Sequence, residues 1–134
     1  LFQEVETGMW VSTTESIYFH SGRNPTVAGG FTQKAEFNFP AIAGTGEKVH
    51  SSKLRMDSSG YVAIFATTRG ICYGTQSGGL VNMSEGIYSY KPGQRGISTI
   101  KEKNGLVQYI VKMINASDSY NPNAKKIPIV VDTI

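Results

Sequence analysis

One passage recurs three times in altered form, and it limits the possible folds more than any other feature. Gly8-Met9-Trp10-Val11-Ser12-Thr13-Thr14-Glu15-Ser16-Ile17-Tyr18-Phe19 returns as Gly60-Tyr61-Val62-Ala63-Ile64-Phe65-Ala66-Thr67-Thr68-Arg69-Gly70-Ile71-Cys72-Tyr73. A fainter copy begins Gly105-Leu106-Val107-Gln108-Tyr109-Ile110-Val111-Lys112. The marker glycines stand at positions 8, 60 and 105. A period of roughly 40 to 50 residues built from strands is the spacing of propeller blades.

The middle copy supplies the template. Val49 to Met56 reads as a first strand, and Asp57-Ser58-Ser59-Gly60 as a turn in which Asp and Ser bond the local backbone and Gly takes positive φ. Tyr61 to Thr67 is a second strand rich in β-branched and aromatic residues. Thr68-Arg69-Gly70 reverses the chain, Ile71 to Gly74 is the third strand, and Leu80 to Met83 follows as the fourth after Gln76-Ser77-Gly78-Gly79. In the first copy the same plan places strands at Phe2 to Glu6, Met9 to Thr13, Ile17 to His20 and Phe31 to Phe39. The last copy uses Ile97 to Lys101, a turn at Glu102-Lys103-Asn104-Gly105 and Leu106 to Met113. Ile127 to Ile134 reads as a closing strand, with Pro128 tolerable at an edge or strand start.

The expected fold is all-β: propeller-like blades of four antiparallel strands over residues 1–114, two complete and part of a third. Residues 115–134 are a turn-rich loop and a C-terminal strand. A compact β-sandwich or barrel of about ten strands is the alternative. A lone four-stranded sheet exposes two faces and two edges, so such modules must stack or close on one another. The chain opens at Leu1-Phe2-Gln3-Glu4 without an initiator Met, and is expected to be a piece of a longer polypeptide or a processed chain. The residues expected to pack are Trp10, Ile17, Phe19, Ile64, Phe65, Ile71, Tyr73, Leu106 and Ile110.

Little in the chain suggests chemistry. Its net charge is +3, and Lys125-Lys126 is its only adjacent basic pair, so there is no nucleic-acid stripe. Cys72 is the single cysteine and lies in an apolar strand, where a free thiol acts as a small hydrophobe. His20 and His50 have no His, Cys or carboxylate at ligand spacing. Glu36 points away from the apolar face of Ala35-Glu36-Phe37-Asn38-Phe39, and no carboxylate pair is placed for acid/base work. Gly44-Thr45-Gly46-Glu47-Lys48 lacks the rest of a phosphate loop and reads as a solvent loop between blades. Asn82-Met83-Ser84 and Asn115-Ala116-Ser117 fit the glycosylation pattern by accident. No run approaches the ~18 apolar residues of a membrane span. No catalytic, cofactor-binding or metal-binding residues are assigned, and an enzyme is not expected.

Two resemblances add to this reading. Asp57-Ser58-Ser59-Gly60-Tyr61 resembles the aspartate-box turn of sialidase-like propellers, which is structural; the cluster of arginines those enzymes use is not evident in the dispersed Arg23, Arg55, Arg69 and Arg95. The Met9–Phe19 passage, Thr67-Thr68-Arg69-Gly70-Ile71-Cys72-Tyr73-Gly74, Gly78-Gly79-Leu80-Val81-Asn82-Met83-Ser84-Glu85 and Gly96-Ile97 to Ile110 resemble virion structural proteins of short-tailed phages, of the neck, nozzle or tail-hub type. That resemblance implies a virion location, an assembly role without catalysis, contacts with copies of itself and other tail proteins, and non-specific proximity to DNA. A carbohydrate- or receptor-binding propeller module is the alternative function, with Tyr88, Tyr90 and Tyr120 as its platform.

Overall fold

Each repeat folds into an antiparallel meander, and the three meanders stack. The computed structural model describes residues 1–22, 26, 28, 30–54, 60–87, 89–114 and the backbone of 129–132. The first sheet runs β1 (Phe2–Val5), β2 (Gly8–Ser12), β3 (Ile17–Gly22) and β4 (Phe31–Phe37), in that order. The second runs β5 (Glu47–His50), β6 (Tyr61–Thr67), β7 (Gly70–Gly74) and β8 (Leu80–Asn82), again in order. The third has β9 (Arg95–Lys103) at one side, β10 (Leu106–Ile114) in the middle and β11 (Ile129–Asp132) beyond it. Among the described residues there is no α-helix, and the sheets close neither a barrel nor a ring.

Two departures from the sequence reading concern local geometry. The strand expected from Val49 to Met56 is β5, and it ends at His50; Ser51–Leu54 form a turn of 3-10 helix. Ser51 is buried there, and its N–H donates to the Gly60 carbonyl at 2.8 Å, so the chain bends before the turn instead of running straight. The expected turn at Asp57, Ser58 and Ser59 lies outside the described residues. The β9–β10 reversal is tighter than expected: Asn104 (φ 53°) and Gly105 (φ 79°) alone form the loop between the paired Lys103 and Leu106. Two consecutive positive-φ residues give the primed turn that matches strand twist, which is why Asn-Gly works here.

The second sheet is the middle layer. Val62 to Thr67 are all buried, although successive side chains in a strand point to opposite faces. Both faces of β6 are therefore covered. Ala63 and Phe65 meet Val5, Trp10, Ile17 and Phe19 of the first sheet. Val62, Ile64 and Ala66 meet Val107, Tyr109 and Val111 of the third. The first strands gather on one side of the stack, where β5 neighbours both β1 and β9, and the Ser98 hydroxyl donates to Glu47 at 2.9 Å.

Trp10 forms the joint between the first two sheets. Its ring lies against the backbone of Gly74, where an added Cβ would sit 2.3 Å from an indole carbon. Gly74 pairs with Ala63, so two small residues side by side make a flat seat for the ring. The indole N–H donates to the Thr75 carbonyl at 3.1 Å. Phe19 (5.0 Å), Phe37 and Phe65 (6.1 Å each) surround it by ring centroid.

The segment joining β4 to β5 is not the solvent loop that its sequence suggests. Gly44 is exposed, but Ile42 and Thr45 are buried. The Ile42 N–H donates to Ala66, the Thr68 N–H to Pro40 and the Gly96 N–H to Ala43, so the connection is laced to β6 and to β9. The Thr45 hydroxyl donates to the Ile42 carbonyl (2.7 Å) and accepts from the Ala66 N–H (3.1 Å). The Tyr109 hydroxyl donates to the Thr45 carbonyl. A buried polar group is tolerated because each of these bonds replaces one to water.

The packing residues expected from the sequence divide along one line. Trp10, Ile17, Phe19, Ile64, Phe65 and Ile71 are buried, and Tyr73 packs half-buried against the core. Leu106 is exposed and Ile110 half-buried, both on the far side of β10, while Val107, Tyr109 and Val111 fill the core. Val107 stands where the buried Trp10 and Val62 stand, two residues after the marker glycine, so the copies are in step; Leu106 and Ile110, expected in the core, lie on the opposite face of β10, because successive side chains alternate.

Gly74→Ala is expected to destabilise the fold by about 1–3 kcal/mol through overpacking against the indole. Trp10→Ala is expected to cost about 3–5 kcal/mol. Urea unfolding followed by circular dichroism measures both, and an unchanged midpoint for Gly74→Ala would contradict the seat described for Trp10.

Candidate functional site

The groups able to do chemistry are dispersed or enclosed. Cys72 is buried between the first and second sheets, and burial pushes its thiol up to about 11, with a hydrogen bond from Thr67 acting in the opposite sense. His50 is exposed, with Nδ1 2.9 Å from the Ser52 hydroxyl and its ring edge-on to Tyr61. Arg69 sits over the Phe39 ring at 4.7 Å, and Arg95 is exposed at the start of β9; Arg23 and Arg55 lie outside the described residues. Asn82, in one of the two acceptor patterns, donates its amide to the Arg69 carbonyl at 2.9 Å. Asn115, in the other, lies outside the described residues. No group of three His, Cys, Asp or Glu side chains among the described residues is arranged to hold a metal ion. No described helix is long and apolar enough to cross a membrane.

The aromatic platform expected from Tyr88, Tyr90 and Tyr120 is described only at Tyr90, which packs half-buried against the core between the second and third sheets. Tyr88, Tyr120, Lys125 and Lys126 lie outside the described residues.

The structure instead draws attention to two surfaces: the outer face of the first sheet and the outer face of the third. Residues directly opposite one another in a ladder share a face. The pairs Phe2↔Val11, Glu4↔Met9, Met9↔His20, Val11↔Tyr18 and Tyr18↔Glu36 therefore define the outer side of the first sheet. Phe2 is 75 % exposed at its edge. Phe2, Glu4, Met9 and Phe31 help line a groove of about 570 Å³. Phe31 stacks on His20 with centroids 4.9 Å apart, and His20 Nδ1 is buried with no hydrogen-bond partner among the described residues.

On the third sheet, the pairs Arg95↔Ile114, Ile97↔Lys112, Thr99↔Ile110, Lys101↔Gln108 and Lys103↔Leu106 lie on the side away from Val107 and Tyr109. Ile97 is 58 % and Leu106 40 % exposed. Ile97, Thr99, Ile110 and Lys112 line a shallower depression of about 210 Å³.

The two faces carry opposite charge. Glu4 and Glu36 stand on the first, with Lys34 two residues before Glu36 at the β3–β4 irregularity. Arg95, Lys101, Lys103 and Lys112 stand on the third. Glu102, the acidic residue of β9, is opposite Val107 on the inner side and pairs with Lys53. Asp132 of β11 is in register with Gln108.

These faces were not singled out from the sequence, yet a signal was present. Met9-Trp10-Val11 and Leu106-Val107 are apolar at consecutive positions, which marks a strand with apolar residues on both sides. Compared with known protein families, curated proteins and solved structures, the chain matches none of them.

Cys72 is expected to resist a thiol reagent at pH 8 until the protein unfolds. Because its folded value is raised from 9.0 to about 11, the stability it contributes is fully present below pH 9 and is lost as pH rises toward 11. Labelling kinetics with and without urea checks this, and rapid labelling of the native protein would contradict it.

Proposed function

We propose that this chain is a structural subunit of a short-tailed phage virion, acting at the neck or tail through contacts and not through catalysis. Its three meanders would be successive blades of a propeller-like assembly. The observation that carries this reading is the pair of outer sheet faces, with Phe2, Ile97 and Leu106 presented to solvent on either side of a stack whose middle sheet is covered twice. A blade is stable when both faces are covered, and the outer sheets each have one face still open. Gathering the first strands β1, β5 and β9 on one side fits blades arranged about a common axis.

The virion setting comes from the sequence resemblance, which covers the strands of all three sheets. It implies copies of the chain and other tail proteins as partners, with DNA passing nearby without sequence-specific contact. The placement of Trp10 in the core supports a packing role for the repeat, since the largest aromatic is consumed by a joint between sheets.

Mass spectrometry of purified tail assemblies after lysine cross-linking is expected to find this chain at a fixed ratio to other tail proteins, with cross-links from Lys101, Lys103 or Lys112. Absence of the chain from washed particles would overturn the reading.

A further inference from the structure

We propose that two copies of this chain bind each other head to tail, the outer face of the first sheet of one copy covering the outer face of the third sheet of the other. This rests on the proposed role as a subunit of a blade-like assembly and names the partner that covers its open faces.

The contacts within the chain show how it joins one sheet to the next. The second and third sheets meet through an aliphatic centre of Val62, Ile64, Val107 and Val111, with the Lys53–Glu102 ion pair at the margin. The two open faces carry the same ingredients, separated. The first has Phe2, Met9, Val11 and Phe31 beside Glu4 and Glu36. The third has Ile97, Leu106 and Ile110 beside Arg95, Lys101, Lys103 and Lys112. Laying one upon the other brings apolar centres together and sets carboxylates against ammonium groups. Laying two third-sheet faces together would oppose like charges, which costs several kcal/mol. The charge pattern therefore selects unlike faces.

The copy number follows from closure. Unlike faces joined head to tail continue until a ring forms or a filament grows. Rings of four-stranded antiparallel sheets close with ~4–8 sheets. This 134-residue stretch brings three sheets, so the one multiple of three in that range is six, from two copies of the stretch related by a two-fold axis.

Light scattering of the 134-residue chain is expected to give twice the chain mass. The variant Glu4→Lys/Glu36→Lys and the variant Lys101→Glu/Lys112→Glu are each expected to weaken association on the order of a hundredfold. Mixed in equal amounts, the two variants should recover a dimer containing one of each, since every contact is then again between opposite charges. Far-ultraviolet dichroism unchanged from the parent establishes that both remain folded. A monomeric parent, a larger oligomer, a Lys101→Glu/Lys112→Glu variant that stays dimeric, or a mixture that does not associate would each overturn the pairing. A monomer in solution that is nonetheless recovered from particles would overturn the self-pairing alone. A dimer missing from particles would overturn the virion reading alone.

Discussion

The structure depends on β6 having no solvent side. A strand that buries one face leaves alternate residues for water, but Val62 to Thr67 are enclosed throughout. That single strand holds two interfaces, and each is made differently. Toward the first sheet the contact is aromatic: Trp10 lies flat on the Ala63–Gly74 pair, with Phe19 and Phe65 closing around it. Toward the third sheet it is mainly aliphatic, with Tyr109 as a fully buried polar-tipped side chain. Tyr109 belongs there because the Thr45 carbonyl accepts from its hydroxyl, and burial raises its pKa well above the ordinary tyrosine value.

The connection from β4 to β5 explains how the sheets keep their order. Its Ile42 N–H and its Pro40 and Ala43 carbonyls bond to β6, to the turn after it and to β9, as buried backbone must. Thr45 sits where three elements meet: the connection itself, β6 through Ala66, and β10 through Tyr109. A glycine at 44 (φ 84°) is needed beside it, since an added Cβ would press on the Gly96 carbonyl. The same two physical demands, satisfied backbone and close approach, thus operate at both interfaces of the middle sheet.

Much of the strand pattern was legible. Tyr61 to Thr67 and the four-strand plan of the first two copies correspond closely to the folded elements, because β-branched and aromatic runs between Gly- and Ser-rich turns admit few other readings. The marker glycines differ in backbone conformation. Gly60 (φ 87°) and Gly105 (φ 79°) are positive-φ residues at turns, whereas Gly8 lies inside β2, close to the His20 carbonyl. Aligned on them, Val107 falls with the buried Trp10 and Val62, whereas Leu106 and Ile110 were expected in the core because β10 is apolar on both of its sides. The open faces escaped notice for the same reason. In β2 and β10 apolar residues occupy both sides, and periodicity alone does not say which side a neighbour covers.

By itself the sequence determined where strands begin, where the chain reverses and that no sheet could stand alone, since these follow from side-chain shape and backbone freedom within a few residues. Tertiary structure decided which face of each strand is inside, that Trp10 rests on a glycine sixty-odd positions away, and that a Gly-rich connection is buried at Thr45. Those outcomes depend on contacts between segments distant in the chain, where one residue of register separates a core from a surface.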